Sequence, residues 1–270
     1  MTALLEIHDL RVAYGRRRVL HGLNPPPLEE GQVVALVGGN GTGKSTLLKA
    51  LAGLQPGTGR VVLDGEDIQP LNATRRAGCL AYVPQALPQG SALLAYEAVL
   101  SGSRALPSPL NREQLERRLA GLFERLELTG LGLRPLSELS GGQRQMIGLV
   151  QALVRQPRLL LLDEPTSALD LRWQLKVLET VRDHCRERHS GALIALHDLN
   201  LALRFCDRMI VLHDGAVLAA GAPDSALNAD ILRRAYGVEG RVERCSLGFK
   251  LALADRALPI NELLREPENP

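Results

Sequence analysis

Residues 38–45 have the composition and spacing of a loop that binds phosphate. Their order, G-G-N-G-T-G-K-S, fits the pattern G-x-x-x-x-G-K-[ST] without a mismatch. The glycines let successive backbone N–H groups approach phosphate oxygens closely, Lys44 can place its charge on the β- and γ-phosphates, and Ser45 can offer a hydroxyl to Mg²⁺. We therefore predict a site for ATP and Mg²⁺ whose nucleotide-binding residues include Gly38, Asn40, Gly41, Gly43, Lys44, Ser45 and Thr46.

Two adjacent carboxylates, Asp163 and Glu164, follow the apolar run of residues 159–162. Asp163 could hold Mg²⁺ directly or through water, and Glu164 could orient the attacking water or accept its proton. A plain strand end is the alternative, but a phosphate loop in the same chain favours a metal site. His197 follows a predicted strand, where an imidazole could contact the γ-phosphate.

The elements that must position these groups are short strands and amphipathic helices. The Val-rich run 32–37 predicts a buried parallel strand, and residues 45–52 predict a helix that ends at Gly53. A strand, a Gly-rich loop and a helix in this order are the context that a phosphate loop requires, which disfavours a chance turn. Beyond Pro157 we predict a strand, a helix and a strand at 159–162, 171–188 and 192–196.

The flanking regions differ in character. Residues 4–12 and 17–20 predict N-terminal strands, and the tract from about 93 to 154 loses β-branched runs and gains helical periodicity. Within that tract, Asn111 with Gln114 predicts a capped helix over 112–128. A small hairpin after residue 61, a hairpin over 208–220 and a short helix around 231–235 complete the prediction.

Composition excludes several classes of protein. The 270 residues are 45% hydrophobic and 23% charged with a formal net charge of +2, an ordinary globular mixture without the basic excess of a nucleic-acid binder. No apolar run approaches the roughly 20 residues that a bilayer requires, and the N-terminus does not resemble a signal peptide. The four cysteines are Cys79, Cys185, Cys206 and Cys245, and they show no paired or metal-ligand spacing. We therefore expect four reduced thiols and a protein that lies in the cytosol.

Residues 139–143 read L-S-G-G-Q, which matches the signature of the ATP-binding cassette (ABC) family residue for residue. The spacing also fits a capping box, because Ser140 can cap a helix while the Gln143 side chain reaches back to Ser140. The two glycines, Gly141 and Gly142, would expose backbone N–H groups to an anion. The chain thus resembles this family over about residues 4–220.

The resemblance implies further roles. Tyr14 matches the aromatic residue that stacks on adenine, with a β-surface tyrosine as the alternative, and Gln85 matches the glutamine that touches Mg²⁺ or its water at the transmembrane interface. Asp170 matches the D-loop and His197 the switch histidine. In the family two domains pair head to tail, so that the signature of one closes over the ATP of the other. The resemblance therefore implies a homodimer. It assigns catalytic roles to Glu164, His197 and Gln85, and it assigns Mg²⁺ binding to Ser45, Gln85 and Asp163. The implied ATP contacts also include Tyr14, Ser140, Gly141, Gly142, Gln143 and Asp170.

Residues 167–178 and 197–202 resemble the ATPases of importers for iron chelates, including siderophores, ferric citrate and haem, and for cobalamin. This resemblance implies polytopic membrane permease subunits as partners, a substrate-binding protein as an indirect partner, and a position at the cytoplasmic face of the inner membrane. Trp173 and Gly39 depart from the subfamily pattern, where His and Pro are common. Soluble ABC ATPases of repair, translation or iron–sulfur assembly, exporter ATPases and P-loop kinases remain the alternatives.

The fold expected from these observations is α/β: a P-loop NTPase core with a mostly parallel sheet, an N-terminal antiparallel β subdomain and an inserted α-helical subdomain. We predict an ATP-binding domain over residues 1–222, with the helical subdomain at about 90–155. Residues 223–270 would be a C-terminal extension. A passive role for that extension is favoured over a regulatory or dimer contact.

Overall fold

The computed structural model of the chain describes residues 3–85, 92–104 and 110–259. The strands, in chain order, are β1 (Ala3–Tyr14), β2 (Arg17–Leu23), β3 (Leu28–Glu29), β4 (Val33–Val37), β5 (Gly57–Leu63), β6 (Glu66–Asp67), β7 (Leu80–Val83), β8 (Leu159–Asp163), β9 (Gly191–Ala195), β10 (Arg208–His213), β11 (Ala216–Gly221), β12 (Val238–Arg244) and β13 (Lys250–Ala257). The α-helices are α1 (Lys44–Leu51), α2 (Ala73–Cys79), α3 (Ala95–Arg104), α4 (Arg112–Arg125), α5 (Gly141–Leu153), α6 (Leu171–Arg188), α7 (Leu199–Phe205), α8 (Pro223–Ala226) and α9 (Ala229–Tyr236).

The central sheet has the strand order β11-β10-β4-β9-β8-β7, and all its neighbours pair in parallel except β10 and β11. Every residue of β4, β8 and β9 is buried. Alternate residues of β4 enter two different cores, so that Val33, Ala35 and Val37 pack in one core. Val34 and Leu36 pack in the other core. Burial on both faces explains the continuous apolar runs and confirms the predicted α/β class.

The N-terminal sheet is antiparallel, with the order β2-β1-β5-β6 and β3 paired to β1. Buried residues of β1, such as Leu4 and Leu10, share a core with Leu47 and Leu51 of α1. The sheet therefore covers the face of the central sheet from which α1 projects. The predicted N-terminal strands and the small hairpin of β5 and β6 are confirmed.

Helices α3, α4 and α5 follow one another between β7 and β8. Helices α4 and α5 each begin with a capping box, formed by Asn111 with Gln114 at α4 and by Ser140 with Gln143 at α5. Both caps confirm the prediction, although α4 ends at Arg125, three residues before the predicted end. The division of the chain into domains at these boundaries stays a prediction.

The C-terminal part holds more structure than the predicted helix around 231–235. Helix α8 precedes α9, and β12 pairs antiparallel with β13 to form a hairpin after it. The hairpin was missed because its strands carry many exposed charged residues, such as Arg241, Glu243 and Asp255, and hide the alternation of apolar side chains. Helices α2 and α7, each seven residues long, were also missed.

Within the described ranges, no helix combines the length and the apolar composition needed to cross a membrane.

Arg76 of α2 joins the end of α1 to the strand-and-turn region around β6. Its side chain is only 5% exposed. The guanidinium donates to the carbonyls of Ala50 and Leu51, both at 3.3 Å, and to those of Ile68 at 2.6 Å and Gln69 at 2.9 Å. The last carbonyls of a helix have few donors within the helix. The Arg76 guanidinium donates to two of them, although the carbonyl of Ala50 also accepts from the N–H of Gly53.

Arg76→Met should lower the free energy of unfolding by about 3 kcal/mol, because these buried carbonyls would lose a charged donor. Urea denaturation followed by circular dichroism measures the change. Arg75→Met is the matched control, since its exposed side chain should contribute less than about 0.5 kcal/mol. Equal effects of the two substitutions would contradict this role for Arg76.

Candidate functional site

The phosphate loop connects the carboxyl end of β4 to the start of α1. Gly38 has φ 143°, and a Cβ there would lie 2.2 Å from the carbonyl oxygen of Leu212, so no other residue fits this position without a shift of β10. Gly43 has φ 107° and caps α1, and its Cβ would collide with Leu20 of β2. The glycines of the motif therefore serve close packing of the loop as well as access to its N–H groups.

Lys44 is 6% exposed, and its ammonium donates to the carbonyl oxygens of Gly38 at 2.8 Å and Gly39 at 2.9 Å. Burial lowers the pKa of Lys44, while the negative charges of Glu164 and Asp163 act in the opposite direction. The lysine is thus held inside its own loop, within the electrostatic reach of both carboxylates.

Asp163 lies next to Ser45 although 118 residues separate them in the chain. The Ser45 hydroxyl donates to Oδ1 of Asp163 at 2.8 Å, and the Tyr82 hydroxyl donates to Oδ2 at 3.1 Å. Hydroxyl and carboxylate oxygens are the hard ligands that Mg²⁺ prefers, and Mg²⁺ usually takes only one or two carboxylates with water and substrate phosphates. The residues therefore fit Mg²⁺, and the described ranges hold no larger group of His, Cys, Asp or Glu that could bind another metal.

Glu164 has both carboxylate oxygens engaged. The Gln85 amide nitrogen donates to Oε2 at 2.6 Å, and Nε2 of His197 lies 2.5 Å from Oε1. The Glu164 side chain is 12% exposed, whereas that of His197 is 46% exposed. The three residues predicted to be catalytic therefore meet at one point, although Gln85 contacts Glu164 here and has no contact with Asp163 among the described hydrogen bonds.

The backbone of Glu164 is also held in place. Its φ is 52°, a left-handed conformation that costs a non-glycine residue about 1–3 kcal/mol. Its N–H donates to the carbonyl of Ala195 in β9, and its own carbonyl accepts from the Gln145 side chain at 2.8 Å. These bonds, from β9 and from α5, keep the carboxylate aimed at Gln85 and His197.

The signature residues form a second cluster at the start of α5. Ser140 accepts from the N–H of Gln143, whose side chain accepts from the N–H of Ser140. A Cβ on Gly142 would lie 2.7 Å from the carbonyl of Ala168, so the signature packs tightly against the segment that leads to Asp170, the N-cap of α6. Within the described part of the chain, no hydrogen bond or ion pair joins Ser140, Gly141, Gly142 or Gln143 to the phosphate loop.

Tyr14 lies at the end of β1 and is 46% exposed. It pairs with Arg17 across the β1–β2 turn, and the next part of β2 packs against Gly43 of the phosphate loop. Its ring is therefore available on the hairpin that borders the loop. A contact with adenine stays a prediction.

Three residues of this site were missed from the sequence. Tyr82 reads as an ordinary strand residue, but the parallel pairing of β7 with β8, with Val83 opposite Leu162, brings its hydroxyl to Asp163. Gln145 reads as a helix residue, and Thr42 as a variable loop position, although its hydroxyl donates to the carbonyl of Gly39 at 3.0 Å. Tyr82 and Gln145 obtain their partners only through the strand order and the packing of α5, whereas Thr42 bonds within its own loop.

The chain is similar to known proteins over most of its length. A family model described as ABC transporter matches residues 27–167, which include the phosphate loop and both carboxylates. The hemin import ATP-binding protein HmuV of Bordetella avium is 38% identical over 247 residues, 88% of this chain and 94% of that protein. The achromobactin transport ATP-binding protein CbrD of Dickeya dadantii is 35% identical over 246 residues, 90% of each chain. A solved dimeric ATP-binding cassette in a post-hydrolysis state, bound to ADP and Pi, is 26% identical with a TM-score of 0.73, over 82% of this chain and 99% of that chain.

Tyr82→Phe should raise the Mg²⁺ concentration required for half-maximal nucleotide hydrolysis by about tenfold, because a donor that orients Asp163 is lost. Hydrolysis measured over a Mg²⁺ titration at saturating nucleotide tests this. Tyr96→Phe is the control, since the Tyr96 ring packs on Phe123 in the helical region. An unchanged Mg²⁺ dependence in Tyr82→Phe would remove Tyr82 from the site.

Proposed function

The chain belongs to the ABC transporter family, and we propose that it is the ATP-hydrolysing subunit of an importer that takes up an iron chelate or a similar metal chelate through separate membrane subunits. The relatives named for hemin import and for achromobactin transport support this class of cargo, because each aligns along almost the whole chain. The observation that carries the mechanism is the meeting of Lys44, Asp163 and Glu164 at one edge of the central sheet.

Binding of ATP would begin at the phosphate loop. The backbone N–H groups of the loop and the positive end of α1 would bind the phosphates. Lys44 would exchange the carbonyls of Gly38 and Gly39 for phosphate oxygens, which would keep its charge compensated. Ser45, Asp163 and Gln85 would hold Mg²⁺, which when bound supplies positive charge to the phosphate oxygens.

Hydrolysis would depend on the position of Glu164. A carboxylate that accepts hydrogen bonds from Gln85 and lies beside His197 is oriented before substrate arrives, and it can position water or accept its proton. His197, more exposed than Glu164, would reach the γ-phosphate from the same edge of the sheet. Groups that are already in position lower the activation barrier of hydrolysis, because the protein does not have to reorient them as the transition state forms.

The separate position of the signature supports a head-to-tail homodimer. In one chain, Ser140 and the glycines after it belong to a cluster with Asp170 and make no described hydrogen bond to their own phosphate loop. The N–H groups of Gly141 and Gly142, at the start of α5, are suited to bind an anion presented by a second copy. Closure around two ATP molecules and reopening after hydrolysis would then move the attached membrane subunits.

We place the chain at the cytoplasmic face of the cell membrane, with a polytopic permease as its direct partner and a substrate-binding protein as an indirect one. Purification of the tagged chain from detergent-solubilised membranes should yield the permease as a stoichiometric component. Reconstitution of that complex in liposomes should give ATP-dependent uptake of haem or a ferric siderophore. A chain that hydrolyses ATP fully without any membrane component would favour a soluble ABC ATPase, and outward transport would favour an exporter.

Glu164→Gln should retain ATP binding but lose hydrolysis by about 10²–10⁴-fold, because the amide cannot accept a proton from water. The variant should accumulate as an ATP-bound dimer. Hydrolysis measured by phosphate release and mass measured by light scattering with MgATP test both expectations. Turnover at the wild-type rate would exclude Glu164 from this role.

Ser140→Arg should block hydrolysis while ATP binding by the monomer stays within about twofold of wild type, because the side chain would obstruct the partner's nucleotide and not the chain's own phosphate loop. Fluorescent nucleotide binding and hydrolysis are measured on the same preparation. A collapse of monomer affinity would contradict the head-to-tail arrangement.

A further inference from the structure

The last turn of α9 contacts the phosphate loop. An added Cβ on Gly39 would lie 3.2 Å from the carbonyl oxygen of Ala235, so the loop and the helix are in close contact at this glycine. The contact joins the nucleotide site to the part of the chain beyond residue 222.

Tyr236 extends this contact. The residue ends α9, and its hydroxyl is buried beside the backbone of Gly38 without a well-aligned hydrogen bond to any described residue. Burial raises the pKa of Tyr236 to about 12, so the phenol stays neutral around the loop at physiological pH. Its side chain packs against the core that includes Val37, the last residue of β4.

The hairpin after α9 contacts α7, the helix that follows His197. The backbone N–H of Ala252 in β13 donates to the side chain of Asn200 at 2.8 Å. Asn200 lies in α7, three residues after His197. In the same helix, Arg204 lies over the ring of Phe249 at 4.9 Å.

The two contacts are mechanically connected. β12 begins two residues after Tyr236 and pairs with β13 along its length, and the N–H of Leu258 donates to the carbonyl of Gly237 at 2.8 Å. A bond from the end of the hairpin back to the end of α9 closes a rigid unit. This unit, residues 229–258, is called here the C-terminal brace.

We propose that the C-terminal brace holds the phosphate loop and the segment after His197 in a fixed relation, with Tyr236 and Asn200 as positioning residues for ATP hydrolysis. The inference rests on the proposed assignment of the nucleotide site. Its physical basis is that the carbonyls of Gly38 and Gly39 hold Lys44 before nucleotide binds, so a displaced loop moves the charge that binds phosphate. A brace with no such role would affect the stability of the chain and leave its kinetic parameters unchanged.

The phosphate-loop contact is tested with Tyr236→Ala and Tyr236→Phe. Loss of the ring should raise KM for MgATP about tenfold with kcat within about twofold, whereas phenylalanine keeps the packing and should restore KM to within about twofold of wild type. Arg234→Ala is the matched control, because this residue lies on the same helix with its side chain 54% exposed. An unchanged KM in Tyr236→Ala would overturn this half of the proposal.

The contact after His197 is tested with Asn200→Ala, which keeps the helix but removes the acceptor for Ala252. Here kcat should fall about threefold to tenfold while KM stays within about twofold. Amide hydrogen exchange adds a second readout: MgADP binding should slow exchange in β13 of the wild type, and less so in Asn200→Ala. If Tyr236→Ala and Asn200→Ala both give less active protein and a lower Tm but leave KM and kcat per active molecule unchanged, the brace has only a structural role.

Failure of the brace and failure of the nucleotide-site assignment give different results. If Glu164→Gln abolishes turnover and the brace variants behave as wild type, the site stands and the brace is wrong. If Glu164→Gln turns over normally, the site assignment is wrong, whatever the brace variants do.

Discussion

The parallel pairing of β4, β9 and β8 determines where all the chemistry of this chain takes place. Strands that run side by side in the same direction end at the same edge, so the loop after β4, the carboxylates after β8 and the histidine after β9 come together there. The three strands are buried on both faces, and a shift of register by one residue would exchange side chains between two separate cores. The burial that stabilises the sheet therefore also fixes the distances of the site.

Charge compensation is the second feature of this edge. Lys44 is buried with its ammonium on two carbonyl oxygens, Asp163 accepts from two hydroxyls, and Glu164 has a partner at each oxygen. A buried charge without partners would cost several kcal/mol, so the free chain holds its ionised groups in place with its own donors and acceptors. The charges at this edge are therefore compensated by groups of the chain itself.

Two further parts of the chain pack next to this site. The signature and Asp170 form a cluster of their own, joined to the first site through α5, where Gln145 holds the backbone of Glu164. The C-terminal part contacts the same site at the phosphate loop and after His197. The site is therefore packed against two parts of the chain, the helices between β7 and β8 and the C-terminal segment.

Much of the candidate site was readable from the sequence, because its motifs depend on local geometry. A Gly-rich loop between a strand and a helix, a Ser140 cap with its Gln143, and acids after an apolar run each specify their neighbours within a few residues, and the strand and helix predictions around them were confirmed. Elements with weak local signals were not readable. The hairpin of β12 and β13 carries charged residues on exposed faces, and its position depends on contacts with α7, which lies about 50 residues earlier in the chain.

The sequence by itself thus determined the reaction class and the residue types that carry it, since a phosphate loop is a contiguous piece of backbone chemistry. Tertiary structure alone decided which side chains complete the site. Tyr82 reaches Asp163 only because β7 lies beside β8, and Gln85 and His197 meet at Glu164 only because their strands end at one edge. The contact of Tyr236 and Ala235 with the phosphate loop is also a long-range contact, because it joins residues nearly 200 positions apart in the chain. Such contacts depend on long-range packing, and no local pattern of residues encodes them.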